Sequence, residues 1–266
     1  MFTYWRVVYD DVMTNHRSEI FAISDEYIDA LGRMSPSAAT FLGIPGYDHL
    51  LDDFSVAAET KVADYRREVL ARVKAMQPID DIDRIAKEVL IERVEASLQL
   101  FDSKEAFITY GPIANPVSHI RSIFTLMNTE GDEAISNITS RLNAIGGALD
   151  SWKSTLEDMY ALGKGTARRQ VLGVASQLEV HGGGGYADMA KSIDPENKYP
   201  ELHAAALNAQ AACLSMANWL KEIHAPRSLD VDAVGAERYA PWARYFTGAD
   251  LWSGLSQRVH LNYRGV

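Results

Sequence analysis

Apolar residues return every three or four positions through most of the chain, which is the spacing of helices that bury one face. The first such row runs from Ile20 to Leu31 and ends where Gly32 is followed by Ser35 and Pro36. No segment alternates apolar and polar residues over the length of a strand, and no motif repeats at a fixed period. We therefore predict an all-α fold, an irregular antiparallel bundle of about eight helices.

The other helices are predicted from the same spacing, together with capping residues, prolines and glycines at their ends. They cover residues 55–76, 80–101, 129–145, 149–160, 171–181, 200–223 and 231–246. Thr129 is the predicted cap of the helix that starts there. The prolines between Tyr110 and Pro116 are expected to break the helical run, because each removes a backbone donor and restricts the residue before it. Residues 1–266 are interpreted as a single helical domain.

The chain carries 26 basic and 36 acidic residues, a formal net charge of -10. A negative surface repels phosphate backbones and anionic lipids, so the sequence argues against nucleic acid and membranes as partners. Cys213 is the single cysteine, which excludes an internal disulfide and fits a reducing compartment. The first residues lack the apolar core of a secretory signal, and the weakly polar stretch 204–217 is too short to span a bilayer. A cytoplasmic protein is expected.

The histidine spacing predicts no helical zinc site in this chain. Such a site needs two histidines four positions apart on one helix face, with a glutamate beside the first as general base. None of the seven histidines has a second histidine at that spacing. Because a lone histidine is usually a surface or capping residue, no metal ligand is predicted.

The run from His181 to Gly185 matches the glycine-rich oxyanion loop of lipases and esterases. That chemistry also needs a Gly-x-Ser-x-Gly elbow on a strand-to-helix turn, and the segment around Ser256 lacks the closing glycine. A serine hydrolase would therefore lack both its nucleophile and its strands. We interpret the run as a helix stop followed by a flexible loop, in which glycine supplies left-handed conformations.

Two groups of polar residues could form a binding surface. His119 and Arg121 follow the proline break, and Arg168, Arg169 and Gln170 precede an apolar row. In an acidic protein such cations either bind a ligand carboxylate or pair with the surplus aspartate and glutamate side chains. The residues alone leave both alternatives open.

Four stretches of the sequence form a set that is characteristic as a whole. They are SPSAATFLGIPGYD (35–48), NPVSHIRSIF (115–124), ARRQV (167–171) and VGAERYAPWARYFTGADL (234–251). In composition and order they resemble the bacterial family called domain of unknown function 885, and the likeness covers roughly residues 22–251. Residues 1–18 and the tail at 252–266 do not resemble that family.

The resemblance implies a mostly helical protein about twice as long, similar to zinc metallopeptidases of the gluzincin kind. Members of the family carry a His-Glu-x-x-Pro-Gly-His-His type motif in their second half, and no position of this chain matches it. No catalytic residue, metal ligand or cofactor is therefore assigned to this chain. Zinc is implied only for the complete family fold.

On this basis we expect the N-terminal helical portion of a metallopeptidase-like protein, shortened by truncation, a frameshift or a split gene. It would form one wall of a substrate cleft, be inactive alone, and have a peptide substrate or a complementary C-terminal fragment as partner. The candidates for peptide contacts are His119, Arg121, Arg169 and Gln170. The alternative is a helical binding module whose exposed apolar face recruits a partner or forms a homodimer.

Overall fold

The computed structural model describes residues 18–249, and the regular secondary structure in that range is helical, which confirms the all-α prediction. The α-helices are α1 (Glu19–Met34), α2 (Pro36–Leu42), α3 (Val56–Ala75), α4 (Asp81–Asp102), α5 (Glu105–Ile108), α6 (Pro116–Ile123), α7 (Asp132–Ala161), α8 (Arg168–Val180), α9 (Tyr186–Ile193), α10 (Pro200–Trp219) and α11 (Gly235–Thr247). Two π-helical turns, His181–Gly185 and Leu220–His224, follow α8 and α10. The predictions about the start of the chain, Ser256 and the 252–266 tail lie outside the described residues.

The chain forms two compact units, and each is built from separate stretches of sequence. The first consists of the described residues within Met1–Ala30, Ala63–Leu100 and Ala236–Val266. The second consists of Leu31–Val62 and Phe101–Gly235. The single-domain interpretation stays a prediction.

In the first unit, α3, α4 and α11 supply most of the described residues, and aliphatic side chains such as Val69 and Val73 are fully buried. Arg244 of α11 pairs with Glu92 and Glu95 of α4, at 3.4 and 3.2 Å. Partly exposed ion pairs contribute little stability, so these pairs set the register of α11 on α4 while apolar burial holds the unit together.

In the second unit, α7 and α10 pack along each other, and α6, α8 and α9 pack around them. The shared core contains Leu142, Ile145, Trp152, Leu178, Leu202 and Cys213. Pro200 lies in the first turn of α10, as predicted, where a missing backbone N–H breaks no helical hydrogen bond. No helix among the described residues is both long and apolar enough to cross a bilayer.

Helix α7 corrects two predictions. The sequence predicted separate helices at 129–145 and 149–160, whereas α7 continues without interruption for 30 residues. Gly146 and Gly147 weaken a helix by about 1 kcal/mol each, but apolar side chains on both sides of them are buried in the core and outweigh that cost. Thr129 is not the cap, since Gly131 occupies that position with a φ of 88°.

The glycine run also differs from the prediction of a helix stop and flexible loop. Residues His181–Gly185 form a π-helical turn that carries the chain from α8 directly into α9, a helix that the sequence did not predict. The bend lies at Gly184, whose φ of 143° is a conformation that glycine adopts without strain. The glycines therefore redirect the helix instead of ending it.

Candidate functional site

One face of α8 lies beside the segment 111–121, and we call this contact the α8 seam. At its start Gln170 lies against Gly111, where an added Cβ would be only 2.7 Å from Gln170 Oε1. One turn further, a Cβ on Gly173 would lie 2.8 Å from Cγ of Pro112. Glycine is needed at both places because the two backbones approach so closely.

The middle of the α8 seam is held by side-chain amides. Asn115 Nδ2 donates to the carbonyl of Gly111 at 2.7 Å and to Gln177 Oε1 at 3.1 Å. Gln177 in turn donates to the carbonyl of Pro112. These bonds satisfy the backbone of a proline-containing loop that cannot form helical hydrogen bonds of its own.

Asn115 also starts α6, the helix that carries two of the predicted site residues. Its Oδ1 accepts from the backbone N–H of Ser118 at 2.8 Å, and Ser118 Oγ accepts from the N–H of Asn115 at 3.2 Å, which is a capping box. Val117 and Ile120 of α6 point into the core. Arg121 is therefore left on the side of α6 that borders the end of α8.

At the far end of the α8 seam, Arg121, His181 and Tyr186 form what we call the Arg121 cluster. The rings of His181 and Tyr186 are 5.9 Å apart, and Phe124 packs edge-on against Tyr186 at 5.8 Å. The positive charge of Arg121 acts on both His181 and Tyr186. Tyr186 is only 2% exposed, whereas Arg121 and His181 are partly exposed.

The titratable groups of the Arg121 cluster carry one positive charge at neutral pH. Burial, and secondly the charge of Arg121, lower the pKa of His181, so its imidazole is neutral. Burial raises the pKa of Tyr186 far above neutrality, although Arg121 opposes that shift. The cluster thus presents a guanidinium beside two neutral hydrogen-bonding groups.

Within residues 18–249, Arg121 makes no ion pair and no hydrogen bond, although the chain has a surplus of carboxylates. The other basic residues near the α8 seam are engaged. Arg168 donates to the carbonyl of Ala225 at 3.0 Å, and Arg169 pairs with Asp232 at 3.0 Å. Arg121 is therefore the cation here that keeps its charge available to a ligand.

The π-helical turn brings His181 to the start of α9. Gly182 lies so close to α10 that an added Cβ would be 2.6 Å from Cγ of Leu214. Gln210 of α10 accepts from the backbone N–H of Ala187 at 2.7 Å, which caps part of α9. A Cβ on Gly185 would lie 3.6 Å from His181 Nδ1, so the imidazole lies beside the first turn of α9.

The four predicted contact residues have different neighbours. Arg121 belongs to the cluster, and Gln170 lies on the same seam, about 16 Å away along α8. His119 is exposed, with its ring edge against Phe41 at 5.7 Å, and Arg169 is exposed and paired. Sequence reasoning missed His181 and Tyr186, since the only signal for His181 was its place four residues after Gln177 on the α8 face.

A second polar centre lies deeper in the same unit. Tyr110 Oη and His224 Nε2 are 3.1 Å apart, and the His224 ring stacks on Trp219 at a centroid distance of 5.2 Å. Burial, and secondly the charge of Arg227, lower the pKa of His224 to about 4, although Glu157 opposes the shift. This centre is enclosed by the core, so we interpret it as structural.

Among the described residues, no three histidine, cysteine, aspartate or glutamate side chains lie close enough together to hold a metal ion. These residues do not fit the zinc that the resemblance implies for the complete family fold. No chemical step is therefore routed through a metal in this part of the chain.

Comparison with known proteins gives one match. A family model described as "Bacterial protein of unknown function (DUF885)" matches residues 36–253, a range that contains the whole α8 seam and the Arg121 cluster. No curated protein matches the chain. The family description gives no activity, so the function is argued from the site.

Proposed function

The chain belongs to this family of bacterial proteins of unknown function (DUF885), and we propose that its helices form one wall of a peptide-binding cleft in a metallopeptidase-like protein. The similarity of the family to zinc metallopeptidases suggests a peptide as the ligand. The observation that supports binding by this chain is Arg121, a partly buried cation that pairs with none of the residues 18–249. A free guanidinium beside neutral donors suits an anionic group of a ligand.

In this proposal the chain binds and orients a peptide but does not cleave it. Arg121 and His181 contact the ligand, and the α8 seam holds them in position. The zinc and the general base come from a complementary C-terminal region or fragment, which is the proposed protein partner. The single cysteine supports a location in the cytoplasm, where thiols stay reduced.

A binding experiment tests this proposal. Fluorescein-labelled ten-residue peptides of mixed sequence are titrated with the 266-residue chain, with Arg121→Gln and Arg169→Gln as matched variants. We expect binding by the wild type and by Arg169→Gln, and affinity about tenfold lower or worse for Arg121→Gln. Absence of binding, or equal losses in the two variants, would refute the proposal, and zinc-dependent hydrolysis by the chain alone would refute the non-catalytic part.

The alternative, a dimerisation module, is favoured by one feature of the first unit. Ile82, Ile85 and Val89 of α4 lie on one helix face and are more than half exposed, at 56, 53 and 57%. Such a row is a candidate interface. If it forms a dimer, light scattering after gel filtration will give twice the chain mass, and Ile85→Glu will restore the monomer; a monomer at all concentrations would rule this function out.

A further inference from the structure

We infer that the Arg121 cluster is a receptor for a single carboxylate, in which Arg121 pairs with the carboxylate while His181 and Tyr186 each offer it a hydrogen bond. This inference rests on the proposed function, because it names the chemical group of the peptide that the cluster receives. It can nevertheless be tested separately from peptide binding as a whole.

The guanidinium of Arg121 supplies the charge. In a chain of net charge -10, a partly buried arginine would be expected to find a carboxylate of its own, as Arg168 and Arg169 do. Arg121 instead borders a histidine and a tyrosine. Because a guanidinium matches the two oxygens of a carboxylate in one plane, a ligand carboxylate is the group that this arrangement best accommodates.

Tyr186 supplies the second, independent indication of a ligand. Its side chain is 2% exposed, yet its hydroxyl makes no hydrogen bond with any residue in the range 18–249. A buried hydroxyl without a partner is unfavourable. The charge of Arg121 acts on this phenol, so the hydroxyl lies on the side of the ring that borders the guanidinium. A ligand oxygen bound to Arg121 would give the hydroxyl its missing acceptor.

His181 completes the set from the start of α9. Its neutral imidazole carries one N–H, and its ring nitrogens make no hydrogen bond within the described residues. The ring lies beside the first turn of α9, and the N-terminal turn of a helix favours negative charge. The π-helical turn is what places the imidazole there, since Gly182 and Gly184 allow the chain to bend against α10.

Charge balance favours a carboxylate over a phosphate. The cluster offers one permanent positive charge, which neutralises one carboxylate but only part of a phosphate dianion. The nearest acidic group to the glycine turn is Asp188, whose Oδ2 lies 3.6 Å from the Cβ position of Gly184. A second negative charge on the ligand would meet this carboxylate and the acidic field of the whole chain.

The source of the carboxylate is either the C-terminus of a peptide or an acidic side chain. Isothermal titration of the 266-residue chain distinguishes them with four probes: acetyl-Ala-Ala-Leu, its C-terminal amide, acetyl-Ala-Glu-Leu amide, and inorganic phosphate. If the C-terminus is bound, only the free acid binds well, and the plain amide is about 10- to 100-fold weaker. If a side chain is bound, the glutamate peptide amide recovers that loss. Equal affinity for the free acid and the plain amide, or tighter binding of phosphate, would overturn the inference.

Variants link the discrimination to the cluster. We expect Arg121→Gln to abolish the difference between acid and amide, Tyr186→Phe to reduce it, and Arg169→Gln to leave it intact. Arg121→Lys should recover only part of it, because an ammonium has the charge without the planar pair of donors. The comparison of probes on the wild type needs no variant, so it stands even if a substitution unfolds the chain.

The two proposals fail in different ways. If ten-residue peptides bind but acid and amide are equal, the carboxylate receptor is refuted and the peptide-binding wall is kept. If the short acids bind through Arg121 while the longer peptides do not bind, the receptor is supported and the peptide-binding wall is refuted.

Discussion

Two partly or fully buried arginines in the second unit have opposite roles. Arg141 of α7 is completely buried and donates to the carbonyl of Leu50 at 2.8 Å, to Thr40 Oγ1 at 2.6 Å and to the carbonyl of Tyr47 at 3.2 Å. It therefore binds the loop after α2 to α7. Arg121, by contrast, has its guanidinium available. The difference separates an arginine that holds the fold from one that can hold a ligand.

Replacing Arg141 should destabilise the second unit strongly. Arg141→Ala leaves several buried carbonyls without donors, so we expect a loss of about 3–5 kcal/mol in the free energy of unfolding. Urea denaturation followed by tryptophan fluorescence measures it. The matched variant Arg169→Ala removes an exposed ion pair and should cost less than about 1 kcal/mol. Equal losses would show that Arg141 is not a structural anchor.

His224 should make the fold sensitive to acid. Its pKa in the folded chain is about 4, below the ordinary value of 6.5, because burial disfavours the charged ring. Protonation therefore favours the unfolded chain. The stability contributed by neutral His224 is complete above pH 6.5 and is lost as the pH falls to 4, in total about 3 kcal/mol.

The measurement compares the free energies of unfolding at pH 7 and pH 4. We expect the loss between the two values to be about 3 kcal/mol smaller in His224→Gln than in the wild type. His119→Gln, at an exposed histidine, should behave as the wild type does. If His224→Gln retains the full acid sensitivity, the buried imidazole is not its cause.

At the scale of the helix, local signals predicted most long elements and missed those made by tertiary packing. Ser55 and Pro200 marked the starts of α3 and α10 to within a residue. The division of α7 was wrong because its glycines are overridden by packing that the sequence does not display. Arg121 and Gln170 could be predicted as one polar group from sequence, but His181 and Tyr186 could not. Their approach to Arg121 depends on the π-helical turn, which the glycines suggested to be a loop.

The glycine turn gives a matched pair of substitutions. Gly182→Ala would place a Cβ 2.6 Å from Leu214 Cγ and 3.0 Å from the carbonyl of Gln210, so we expect a loss of about 1–3 kcal/mol. Gly183→Ala meets nothing within 4 Å and should be neutral, or stabilising by about 0.5 kcal/mol through the unfolded chain. Thermal melting by circular dichroism compares them. If both are tolerated equally, the turn does not pack against α10 as described.

At the scale of the whole molecule, the grouping of helices could not be predicted from the sequence. The boundaries between the two units fall within α1, α3 and α4, where no linker, glycine or proline signal marks them. Periodicity shows that each helix buries a face but not which helix covers it. The acidity of the whole chain was visible at once, and it is what makes one unpaired arginine informative.

The central claim is that the Arg121 cluster receives a carboxylate, and the most direct measurement is an NMR titration of the histidine side chains, with His181 assigned by His181→Gln. On addition of acetyl-Ala-Ala-Leu or the glutamate-containing amide, the signals of His181 should shift and its pKa should rise, because a bound negative charge favours the protonated ring. The signals of His224 should not move. If His181 is unaffected by both carboxylate peptides, or responds equally to the plain amide, the claim is wrong.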